Sequence, residues 1–121
     1  MDVLNLENVA INWEELPAVR IEGESGYVIT RSKEVGAIKI SHNTYSADYK
    51  AENWCEHAHI LLVLSGVLII QFKDGSSVDV TKGNSYVLGG QVQAHKALTL
   101  SETEVFIVGV ADHVLSASNN K

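Results

Sequence analysis

The stretch Ile60-Leu61-Leu62-Val63-Leu64-Ser65-Gly66-Val67-Leu68-Ile69-Ile70-Gln71-Phe72-Lys73-Asp74-Gly75-Ser76-Ser77-Val78-Asp79-Val80-Thr81 decides the fold class. Short runs of Val, Ile and Leu are separated by Gly, Asp and Ser, which is the punctuation of an all-β domain. Asp74-Gly75 between two apolar runs supplies the positive φ angles of a tight hairpin turn, joining a strand at 67–73 to one at 77–81. The run 60–64 is apolar at every position and Val67 to Ile70 continues it, so both faces need cover from water. That cover is either the N-terminal arm or a second subunit. An apolar patch of this kind marks an oligomer interface, and a homodimer is expected.

Working outward, the same texture places further strands at 27–32, 35–41, 45–50, 85–88, 94–100 and 104–110. Before them, Trp13-Glu14-Glu15-Leu16-Pro17 contains the chain's single proline, which excludes a long helix there and leaves an irregular arm with one short helical turn. The 121 residues are enough for one hydrophobic core and too few for two comfortable ones. A single domain over 1–121 is expected, with an N-terminal arm at 1–24, a barrel core at 25–111 and a C-terminal tail at 112–121.

A formal charge of -6 without a Lys/Arg cluster repels nucleic-acid phosphates and anionic membrane surfaces, so neither is an expected partner. The longest apolar run is far below the roughly 20 residues that span a bilayer. Cys55 is the sole cysteine, so no intramolecular disulfide can form, and the N-terminal residues lack the pattern of a signal peptide. A soluble protein of the reducing cytoplasm is expected.

Candidate chemistry concentrates in Glu52-Asn53-Trp54-Cys55-Glu56-His57-Ala58-His59, just before the apolar strand, where two imidazoles accompany the only thiol. His95 follows Gly89-Gly90-Gln91, whose glycines permit a sharp turn and a close backbone approach. His42 and His113 fall in no motif and are read as surface or structural residues.

From Trp13-Glu14-Glu15-Leu16-Pro17 to Val105-Phe106-Ile107-Val108 the chain resembles the cupin superfamily, and within it the small single-domain group with an Asp-His-Cys-Trp signature. The resemblance implies a cupin double-stranded β-helix, or jelly-roll barrel. Anchored on Leu62-Val63-Leu64-Ser65-Gly66, it sets His59 at the position of the first motif's Glu, Cys55 at its second His and Asn53 at its first His. The visible His57-Ala58-His59 is then not the family's His-x-His. Gly83, Gly89-Gly90 and His95 match the second motif, with one extra loop residue. Two departures matter: Glu52-Asn53-Trp54-Cys55 puts an amide where the family has an imidazole, and no proline stands in the second-motif turn.

Cys55, His59 and His95 offer one thiolate and two imidazoles, a set suited to a divalent transition metal, with Zn first and Fe, Ni, Cu or Mn as alternatives. Three protein ligands leave a position open for substrate or water. Asn53, His57 and Glu56 are candidates for an additional ligand or pocket role, with Trp54 and Tyr86 packing beside the pocket. Two functions follow as expectations: a metal site in the barrel that binds or converts a small polar organic molecule, or a non-catalytic module that binds or senses a small ligand at a degenerate metal site. The fold itself selects no reaction.

Overall fold

Alternation of buried and exposed residues along the apolar runs organises the chain into two layers. The computed structural model describes residues 3–89 and 94–119. The strands are β1 Val19–Glu22, β2 Tyr27–Val35, β3 Ile38–Tyr45, β4 His59–Ser65, β5 Val67–Phe72, β6 Ser77–Thr81, β7 Ser85–Leu88, β8 His95–Leu98 and β9 Thr103–Val110. A 3-10 turn at Trp13–Glu15 precedes them and a helix α1, Asp112–Asn119, follows. One six-stranded sheet runs β1-β2-β3-β9-β4-β7 and one three-stranded sheet runs β6-β5-β8. Every pairing is antiparallel. Among the described residues no strand ladder closes one sheet onto the other.

The core lies between the sheets. Val63 and Val105 have no exposed surface; Leu61, Leu88, Val28 and Tyr45 join them from the larger sheet, and Leu68, Ile70 and Val80 meet them from the smaller. Gly66, between β4 and β5, has a φ of +76° and no room for a side chain, since a Cβ there would lie 2.5 Å from Thr103 Oγ1. Thr103, fully buried, donates through Oγ1 to the Val67 carbonyl at 3.1 Å and ties the end of β9 to this junction. Among the described residues no helix is long and apolar enough to cross a membrane.

Several expected elements are redrawn. The hairpin at Lys73-Asp74-Gly75-Ser76 forms, but only Gly75 takes a positive φ, at +94°. Asp74 stabilises the turn instead by accepting from the Ser76 amide at 2.8 Å, so this is a longer loop than a two-residue hairpin requires. The expected strand at 45–50 is not one. Asp48 sits at φ +58° and breaks the extended chain, while the Tyr49 amide is drawn to Thr99 Oγ1 at 3.1 Å. β2 runs on through Ser32-Lys33-Glu34 to Val35 because the turn is made by Gly36, not by the charged residues before it.

The arm expected to be irregular over 1–24 contains β1, whose alternation Val19-Arg20-Ile21-Glu22 was a legible strand signal. The expected helical turn is present at Trp13–Glu15, with the Asn12 side chain accepting from the Glu14 amide at 3.2 Å. It is anchored by Arg31, whose guanidinium donates to the Trp13 and Leu16 carbonyls at 2.9 Å. The C-terminal segment carries α1, whose first amide donates to Glu34 Oε2 at 2.7 Å.

Leu68→Ala, at the centre of the smaller sheet, is expected to lower the unfolding free energy by roughly 2–5 kcal/mol. Leu100→Ala, at a 75% exposed position, is expected to stay within about 0.5 kcal/mol of the wild type. Urea denaturation of the two variants checks both.

Candidate metal-binding pocket

Cys55 and His95 meet through the main chain before their side chains meet. The Cys55 amide donates to the His95 carbonyl at 2.8 Å and the His95 amide returns a bond to the Cys55 carbonyl at 2.9 Å. Residues exchanging both bonds in an antiparallel bridge project their side chains to the same side, so thiol and imidazole are set next to each other by backbone geometry. His59 opens β4, where it pairs with Leu88 of β7 and Gly109 of β9. Its ring stands nearly perpendicular to that of His95, with centroids 5.5 Å apart. One ligand atom from each of Cys55, His59 and His95 lies within 4.8 Å of the others.

The group fits a transition metal by its chemistry. Burial of the His59 imidazole, followed by the positive charges that His95 and His57 would carry, lowers its pKa from 6.5 to about 4. It is therefore neutral at pH 7, as a metal ligand must be. Donors around a tetrahedral zinc lie about 3.3–3.8 Å apart, so small side-chain rotations close the set onto an ion.

His59 and His95 line a cavity of about 300 Å³, and Cys55 stands behind its wall, bridged to His95. Leu61, Leu68, Ile70, Leu88, Ala97 and Ile107 form its apolar walls. A polar stretch of wall comes from β3, two strands from β4 in the larger sheet: Lys39, Ser41, Asn43 and Tyr45, at alternate positions, all line it. Asn43 Nδ2 donates to the Tyr45 hydroxyl at 3.1 Å, while its Oδ1 is buried with no partner among the described residues. Leaving such an acceptor unmade costs about 1–3 kcal/mol. Burial is the main cause of a Tyr45 pKa raised to about 12, with the Asn43 bond opposing it and Tyr49 and Cys55 adding to it, so the phenol keeps its proton. Lys39 and Asp112 meet at the rim at 3.4 Å, and Leu115 of α1 completes the edge.

The residues singled out from the sequence divide clearly. Cys55, His59 and His95 come together, and His57 lines the same cavity. Asn53 and Glu56 are exposed and form no part of its wall. Trp54 lies under the Lys96 ammonium, 4.7 Å from its ring centroid, and not in the cavity wall. Tyr86 lines a separate depression of about 380 Å³ with Phe72 and Val78. In the second-motif turn Gly90 and Gln91 lie outside the described residues. His42 and His113, read as structural, pair with Glu104 at 3.2 Å and Glu34 at 3.3 Å. Sequence reasoning missed Lys39, Ser41, Asn43 and Tyr45; their alternation was the available signal, but a polar row on a strand is ordinarily assigned to solvent.

The depressed His59 pKa has a sign. Between about pH 4 and pH 6.5 the unfolded chain holds a proton at this residue that the folded metal-free protein does not, so folding stability falls as pH drops through that window and levels off below it. The stability of metal-free His59→Gln relative to wild type is therefore expected to rise between pH 7 and pH 4.5 in parallel urea titrations; a pH-independent difference contradicts the assignment.

No protein-family model and no curated protein matches the sequence. Solved structures do match. An RmlC-like cupin from Shewanella frigidimarina superposes with a TM-score of 0.69 at 12% identity, covering 92% of this chain and 98% of that one. The EutQ protein of Clostridium difficile gives 0.69 at 13% identity, with 90% and 97% covered. Ectoine synthase from P. lautus gives 0.69 at 15% identity, with 84% and 76% covered. At such identities the likeness speaks for architecture alone: the chain has the cupin fold.

Proposed function

We propose that this chain is a small metal-binding cupin whose pocket binds or converts a small polar organic molecule, with Cys55, His59 and His95 holding a divalent transition metal. The observation that carries this reading is the convergence of three donor atoms, two of them on residues that line a cavity of metabolite size. One thiolate and two imidazoles favour zinc, with iron, nickel, copper or manganese as alternatives. A bound ion supplies Lewis acidity toward a substrate oxygen.

The chain's own residues do the remaining work. Burial keeps His59 neutral and its lone pair available. The aliphatic wall from Leu61 to Ile107 excludes water from one side of a ligand. His57, exposed where it lines the cavity, or the exposed Glu56 beside it is the candidate proton carrier in a converting enzyme. A second reading is a non-catalytic binding or sensing module. It is favoured by the position of Asn53, which stands in the resemblance where a ligand is expected yet is exposed and outside the cavity.

Elemental analysis of protein purified without an affinity tag tests the metal reading. Near-stoichiometric metal is expected in the wild type, falling at least tenfold in folded Cys55→Ala, His59→Ala and His95→Ala variants. A wild type that takes up no metal on reconstitution overturns it. Ligand-dependent stabilisation without turnover in metal-loaded protein decides for the binding module.

We further infer a homodimer of the reducing cytoplasm. The lone thiol of Cys55 supports the compartment. The outer face of β4 and β7 supports the dimer: Ile60, Leu62, Leu64 and Val87 are 53%, 37%, 39% and 70% exposed in the single chain. The N-terminal arm packs elsewhere on that sheet, with Trp13 against Phe106 and His42. Light scattering is expected to give twice the chain mass, and Ile60→Asp with Val87→Asp the mass of one chain; a monomeric wild type contradicts the inference.

A further inference from the structure

The proposed metal ligands leave one wall of the pocket unused. Lys39, Ser41, Asn43 and Tyr45 face the cavity from β3, on the side of a sheet where a packed core ordinarily carries aliphatic residues. Lys39 pairs in register with Gly109, and Gly109 with His59. Lys39 and His59 therefore share one cross-strand row two strand spacings apart, about 10 Å between α-carbons. The residue between them has no side chain. A Cβ on Gly109 would lie 3.1 Å from His59 Cδ2, so the glycine both seats the imidazole and leaves the row open as a slot.

One end of that slot is the Lys39 ammonium and the other is the His59 imidazole. Among the described residues Lys39 is the one lysine or arginine lining the cavity. Its 3.4 Å contact with Asp112, whose side chain is 71% exposed, is a solvent-screened pair that an incoming anion can share or displace. Further along the same strand Asn43 presents a buried acceptor without a partner among the described residues, a deficit that a ligand hydroxyl can satisfy by donating.

We propose that Lys39 anchors the carboxylate of a small hydroxy or oxo acid, whose hydroxyl or oxo oxygen is directed across Gly109 toward His59 and His95, while Ser41 and Asn43 are placed to meet a second hydroxyl where the acid carries one. The far end of this ligand rests on the metal reading given above; the Lys39 end does not. The assignment narrows a small polar molecule to an anionic one. Neutral sugars and alcohols lack the group that Lys39 holds.

Calorimetric titration of zinc-reconstituted protein with lactate, glycerate and pyruvate, and with neutral lactamide and glycerol, tests the assignment. At least one acid is expected to bind, with its neutral counterpart at least tenfold weaker. Lys39→Met is expected to weaken the acid at least tenfold with metal content unchanged, and Lys39→Arg to restore it to within about threefold of wild type. Acids that fail to bind the wild type, or that bind Lys39→Met as tightly, overturn the proposal. Titration of metal-free protein separates the two readings. Lys39-dependent binding without metal upholds the anchor even if the metal reading falls, whereas stoichiometric metal without acid binding overturns the anchor alone.

Discussion

Among the described residues no strand ladder joins the two sheets; apart from the isolated main-chain bridges at Lys50, side chains hold them together, and much of the molecule follows from that contact. Leu61, Val63 and Val105 on the larger sheet press against Leu68, Ile70 and Val80 on the smaller. Directionless apolar packing of this kind tolerates a gradual change in what fills the interlayer space, and here it changes along the strands. Toward the Val63 and Val105 end most of the buried side chains are aliphatic, with Asn43 in register beside Val105. Toward the His59 end the same strands contribute imidazole, ammonium, hydroxyl and nothing at all, the last being Gly109. A cavity opens where the core stops being a core.

Register converts that gradient into a site. In an antiparallel sheet the residues opposite one another are fixed once one pair is fixed, so the pairing of β3, β9 and β4 brings Lys39, Gly109 and His59 into line although they are far apart in sequence. The smaller sheet contributes His95 through β8, paired to Cys55 from the loop that leads into β4. The donor group therefore sits on the seam between the layers, with a buried apolar floor on one side and the polar row of β3 on the other.

Much of this was legible beforehand. The apolar run at 60–70, the Asp74-Gly75 turn and the spacing of Cys55, His59 and Gly66 each express a local constraint that survives folding, and these gave the strand pattern and the three converging donors. Elements were misread where a local signal competed with a longer-range one. Tyr45 and Tyr49 suggested a strand over 45–50, but Asp48 in the left-handed region and Thr99 accepting the Tyr49 amide bend the chain away after Tyr45. The polar row of β3 was invisible for a different reason: period-2 alternation reveals that a strand has two faces, not which face looks inward. A polar pocket wall and a solvent face have the same composition. Asn53, Trp54 and Glu56 illustrate the converse, since proximity in sequence to Cys55 does not carry them into the cavity.

The reciprocal main-chain bonds between Cys55 and His95 also bear on time. Two of the three donors are presented by one hydrogen-bonded pair, so spreading them apart means breaking both of its bonds together. Such openings belong to the slow, local-unfolding class of motion, well removed from side-chain rotation. Rotation of the two side chains stays fast, so the α-carbon frame of Cys55 and His95 holds still while thiol and imidazole turn upon it.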